Sequence, residues 1–158
     1  MRRFLLCVAW LMGLSAPLLH TSTALAQTSG VAATTELEVL QGLANEGHRS
    51  ASFNLGVLYD TGRGVAQDFR QAARWYRVAA KQGHAAAQFN LGGLYFEGQG
   101  VDKDLVRASV WFTLAAVSGF DGAARNRNSV AALLNAEQRS LAQRLVRQCQ
   151  QTELRDCD

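Results

Sequence analysis

Few residues in this chain could do chemistry, and most recur at a fixed spacing. Gly62-Arg63-Gly64 and Gly98-Gln99-Gly100 carry paired glycines of the kind that cradle phosphate. A phosphate cradle needs a strand, a loop of free amides and a helix start, with a third glycine or a Gly-Lys-Ser/Thr ending. Neither segment has that glycine or lysine, and each follows a helical pattern, so both are expected to be turns. His48 and His84 stand 36 residues apart without Cys, Asp or Glu partners at ligand spacing, short of the three or four donors a metal needs. No metal and no cofactor is expected. No serine after residue 26 is followed three positions on by lysine, and Gly-x-Ser-x-Gly and His-Glu-x-x-His do not occur. Asp102 and Asp104 could flank a glycosidic bond, but Asp104 stands where a helix N-cap belongs. No catalytic residue is assigned.

Positioning falls to helices. Met1-Arg2-Arg3, the apolar run Phe4 to Leu19 and Ala24-Leu25-Ala26 form a basic start, a hydrophobic stretch and a small-residue cleavage site. Residues 1–26 are therefore expected to be a cleaved secretory signal; the alternative, a retained anchor, would need about 20 apolar residues. After cleavage 132 residues remain, the size of one domain, with a net charge of +1 and no integral membrane segment. With no basic cluster interleaved with aromatics, nucleic acid is not an expected partner. Cys149 and Cys157 are the two cysteines left, and in an oxidising compartment an intramolecular bridge is expected. Spacing leaves free thiols or a bridge between chains open.

Residues 27–34 are small and polar and are expected to be a flexible leader. Thr35-Glu36-Leu37-Glu38 matches a capping box opening a helix over 35–46 that Gly47 stops. From there residues 47–82 align with 83–118 without a gap, and seventeen of the 36 positions are identical. Such a period marks stacked supersecondary units. In each unit Ala51, Leu55, Leu58 and Tyr59, then Ala72, Trp75, Tyr76, Ala79 and Ala80, recur on single helix faces. The unit is a helix hairpin, with Asp68 and Asp104 capping its second helix. Glycine within a helix costs about 1 kcal/mol against alanine. Gly56 and Gly92 are therefore expected to make room for a neighbouring side chain, with the tryptophan as the expected occupant. Trp75 and Trp111, with Tyr59 and Tyr95, could form an aromatic cage, but their spacing on apolar faces makes them packing residues. Arg70, Arg74, Arg77 and Lys81 are expected to be a solvated stripe.

The pattern Ala51-x3-Leu55-Gly56-x2-Tyr59-x2-Gly62-x-Gly64-Val65-x2-Asp68-x3-Ala72-x2-Trp75-Tyr76-x2-Ala79-Ala80-x2-Gly83 resembles the Sel1-like repeat, a relative of the tetratricopeptide repeat. Leu91, Gly92, Tyr95, Gly98, Gly100 and Trp111 carry it in the second copy, which departs at Ser109 and Phe112. The resemblance implies an all-α, short right-handed superhelical solenoid of antiparallel hairpins. Repeats at 47–82 and 83–118 would follow a capping helix at 35–46. Residues 119–158 would hold a degenerate third repeat and a C-terminal capping helix: Ala123 and Asn126 keep the register, Arg127 and Asn128 replace the Leu-Gly pair, and Asn135 opens the last helix. Leu141, Leu145 and Cys149 are expected on its inner face.

Some family members have been associated with β-lactamase or penicillin-binding activity, so an envelope hydrolase is the alternative function. The resemblance instead favours a non-enzymatic protein-interaction module, an adaptor or regulator of a periplasmic or secreted envelope complex. A purely structural piece of a larger assembly is a third reading. By likeness to tetratricopeptide arrays, first helices would line a concave groove for a partner. That nominates Ser50, Asn54 and Thr61, with Asn90, Phe96 and Glu97 one period on. The partner's identity and the oligomeric state are not encoded in these patterns.

Overall fold

A computed structural model describes residues 36–155 and Cys157. The expected signal, the leader and the Thr35 end of the capping box lie outside the described residues. Among the described residues every regular element is helical: α1 (36–45), α2 (Arg49–Thr61), α3 (Phe69–Lys81), α4 (Ala85–Glu97), α5 (Leu105–Val117), α6 (Ala123–Leu133) and α7 (Ala136–Gln151). The chain is a short right-handed solenoid in which α2 pairs with α3 and α4 with α5, and each pair stacks on the next. None of these helices is long and apolar enough to cross a membrane.

The two hairpins are built alike. The Gly62 amide closes α2 by donating to the Leu58 carbonyl, with φ 69°, and the Gly98 amide closes α4 on Leu94, with φ 77°. Each turn is then tied back by Asp68 N–H to the Tyr59 carbonyl and Asp104 N–H to the Tyr95 carbonyl, both at 2.9 Å. The Asp68 carboxylate accepts from the Arg70 and Gln71 amides, and that of Asp104 from the Arg107 amide, the N-cap roles their spacing indicates. Gly100 adopts φ 68° with its Cα against the Phe69–Arg70 backbone, so a side chain there would collide with the start of α3.

Hairpin packing corrects two expectations. The space beside Gly56 and Gly92 is filled by the rings of Tyr76 and Phe112, each one position beyond the tryptophan. The tryptophans themselves differ: Trp111 is fully buried in the main core, whereas Trp75 is half-buried and covers a smaller cluster with Leu37, Leu40, Ala44, Ala51 and Leu55 at the α1 end. The main core holds Leu91, Leu94, Tyr95 and Val110 in addition, with Tyr59 half-buried against it.

The C-terminal region breaks the pattern. Asn135 caps α7 in a full capping box with Gln138, as its position predicts. Leu141 is exposed; the inner face of α7 is instead Ala142, Leu145, Val146 and Cys149, and it packs on α5. Cys149 and Cys157 are buried and bonded to each other within the chain. Leu154 lies 3.8 Å from the Cβ position of Gly83, so the tail reaches back to the turn between the repeats.

Candidate functional site

The paired glycines do not form an anion site. The Gly62 and Arg63 amides both donate to the Leu58 carbonyl, and the Gly98 and Gln99 amides to the Leu94 carbonyl, so they are spent on closing helices. The histidines are likewise engaged. His84 Nδ1 accepts from the Ala87 amide at 3.3 Å and its ring stacks on Phe53 at 4.4 Å, while His48 pairs with Glu46 at 3.6 Å. Burial, then the nearby Arg49 charge, hold the His84 pKa below its ordinary value, which keeps Nδ1 free to accept. Among the described residues no group of three His, Cys, Asp or Glu side chains converges. Arg77 departs from the solvated stripe, donating to the Tyr95 hydroxyl at 2.7 Å with its guanidinium over that ring.

The feature with binding geometry is a groove across the first helices. One lobe, about 320 Å³, is bounded by Asp60 of α2, Phe89, Asn90 and Gly93 of α4, and Asn126 of α6. A second lobe of about 230 Å³ continues from it past Phe96 and Val130. Gly93, Glu97, Phe112 and Asn126 line both. Of the expected partner residues, Asn90, Phe96 and Glu97 meet here. Ser50, Asn54 and Thr61 lie exposed on α2 outside either lobe, and the Thr61 hydroxyl is turned onto its own helix at the Val57 carbonyl.

A one-period substitution sets the character of the groove. At the seam between the hairpins, the buried Tyr76 hydroxyl donates to Asp60 Oδ2 at 2.9 Å and is also hydrogen-bonded by Asn90. Burial, reinforced by the Asp60 carboxylate, drives the Tyr76 pKa far above the ordinary phenol range. One period on, Phe96 and Phe112 replace Asp60 and Tyr76. Asn126, the counterpart of Asn90, faces those rings and has no side-chain hydrogen bond among the described residues. Lys103 holds its ammonium 5.5 Å from the Phe96 ring centre. The second seam is thus an apolar floor beside an open amide. Asn126 was not among the nominated residues, although its register with Asn54 and Asn90 was the signal that could have found it.

The Sel1 repeat family matches residues 49–84 and 85–119. The chain carries two Sel1 repeats. In structure this Sel1-like repeat protein is similar to a protective antigen of uropathogenic Escherichia coli strains with the SLR fold. Their identity is 40%, the TM-score is 0.68, and the match covers 71% of this chain and 24% of that one. It is also similar to a Sel1 repeat protein from Oxalobacter formigenes, at 28% identity and TM-score 0.57, covering 69% of this chain and 51% of that one. The matches thus span about a quarter and about half of the two relatives. No curated protein matches the chain in sequence. Sel1 repeats point to a protein-interaction module, and the SLR fold is generally a non-enzymatic scaffold.

Proposed function

We propose that this Sel1-like repeat protein is a non-enzymatic adaptor or regulator in the bacterial envelope that holds a partner segment in the groove across α2, α4 and α6. The observation that carries this reading is the second seam, where the unpartnered Asn126 amide stands beside Phe96 and Phe112. An amide that donates and accepts can read an extended backbone, and an apolar floor can seat one anchor side chain. The acidic rim formed by Asp60 and Glu97 favours a segment with a basic or amide-bearing residue next to that anchor. An envelope location is supported by the buried Cys149–Cys157 bond, which persists outside reducing compartments.

The test is site-specific photocrosslinking in the native host from positions 97 and 126, with exposed Arg144 on α7 as the control position. The expected result is one partner captured from the groove positions alone, and lost when Phe96→Ala and Asn126→Ala are combined in a chain whose thermal melt is nearly unchanged. Equal capture from position 144, or capture undiminished in the double variant, rejects the groove. Hydrolysis of nitrocefin or cell-wall fragments by the purified chain would overturn the non-enzymatic reading.

A further inference from the structure

The third hairpin is held open, and a cavity stands where its core would be. In the two matched repeats a fully buried leucine, Leu55 or Leu91, is followed by a glycine that takes a ring from the returning helix. In α6 those two positions are Arg127 and Asn128. A guanidinium does not enter an apolar seam without a partner, and an asparagine side chain fills the space the ring needs. Only Leu134 and Asn135 separate α6 from α7, where seven residues, 62–68, separate α2 from α3. The last helix therefore lies on α5 instead of closing against α6.

The space left between α5, α6 and α7 is about 400 Å³, the low end of small-molecule sites. Three arginines, Arg127, Arg139 and Arg147, are among its lining residues, the last two with exposed side chains at its edge. Arg127 donates to the neutral amide of Asn128, and Arg139 donates to the Ala131 and Leu134 carbonyls at the end of α6. Arg147 has no hydrogen-bond or ionic partner among the described residues, and no described carboxylate pairs with any of the three. The rest of the wall is Ala131, Ala142 and Val146 with three neutral polar residues, Ser109, Thr113 and Gln143, and the Thr113 hydroxyl is turned onto its own helix at the Ser109 carbonyl. Three arginines without a carboxylate partner among the described residues, at the wall of one small, largely apolar hollow, suit an anion with a hydrocarbon body. The planar fork of arginine matches a carboxylate.

We infer that this cavity is a binding site for a small organic carboxylate with a short aliphatic body, either a free acid or the end of a polypeptide. It lies outside the partner groove and does not depend on it.

The test is calorimetric titration of the purified chain at low salt with N-acetylvaline, N-acetylvaline amide, a tripeptide ending in valine and inorganic phosphate. The acid should bind and the amide should not. Arg127→Gln combined with Arg147→Gln should weaken the acid by about tenfold or more, and Arg144→Gln, off the cavity wall, should leave it unchanged. Tighter binding of the tripeptide than of N-acetylvaline assigns the site to a polypeptide end, and equal binding assigns it to a free acid. Equal affinity for the amide, phosphate binding as tightly as the acid, or no binding of the acid at millimolar concentration overturns the inference. The comparison of acid with amide on the unmodified chain does not depend on any variant folding.

Discussion

The ring of Tyr76 lies directly over the Cα of Gly56, so that a methyl group at position 56 would sit 2.5 Å from Cε1. Tyr76 is fully buried and cannot swing away. Gly56→Ala should therefore destabilise the fold by about 1–3 kcal/mol as an overpacked core position, more than offsetting alanine's better helix propensity. Gly93 is the control, since nothing lies within 4 Å of its Cβ position. Gly93→Ala should stabilise by up to about 1 kcal/mol. Urea melts of the two variants check the pair, and a stabilised Gly56→Ala would contradict the packing described.

The two tryptophans should separate in the same assay. Trp111 is fully buried, so Trp111→Ala should cost about 3–5 kcal/mol. Trp75 is half-buried at the end of the stack, and Trp75→Ala should cost clearly less, about 1–3 kcal/mol. Trp111→Phe should be far milder than alanine. It keeps a ring in place and removes an indole N–H that is buried without a hydrogen-bond partner among the described residues.

Why some of this was legible in the sequence and some was not follows from the range of the interactions. The hairpins, their Asp68 and Asp104 caps and the turn at Gly62 depend on residues within one or two helical turns, and each is readable from local spacing. The occupant of the Gly56 space was misassigned because Trp75 and Tyr76 are adjacent, about 100° apart around the helix. Which of them points inward is set by how α3 crosses α2. Asn90 and Phe96 could be nominated from the repeat register, but Asn54, in the same register, lies outside both lobes of the groove. The open third hairpin was least legible: the loss of the Leu-Gly pair shows, but the docking of α7 on α5 depends on long-range packing.

His84 should make stability depend on pH. Its folded-state pKa lies below the unfolded value of 6.5, because burial and then Arg49 disfavour the charged ring. Between those two values the unfolded chain binds more protons, so stability rises with pH. The contribution is complete above about pH 6.5 and is lost as pH falls towards the folded-state pKa. His84→Asn keeps a side-chain acceptor for the Ala87 amide but does not titrate. Melting temperatures recorded from neutral to mildly acid pH should show a drop in the parent chain that H84N lacks. Parallel curves would assign the drop to another group.

The Cys149–Cys157 bond closes a short loop, so its contribution from loop-closure entropy is about 2.5 kcal/mol at most. Both sulfurs are buried, and Leu154 within the loop reaches the turn at Gly83. Replacing both cysteines with alanine should lower stability by about 1–3 kcal/mol and raise hydrogen exchange in the tail and the last turn of α7. The amides of α2 and α4 should keep their protection relative to global unfolding, because the hairpins close without the tail. If the bond instead organises the whole stack, α2 and α4 will lose protection as much as the tail. That outcome would make the C-terminal helix a structural partner of both repeats and not a cap on the second.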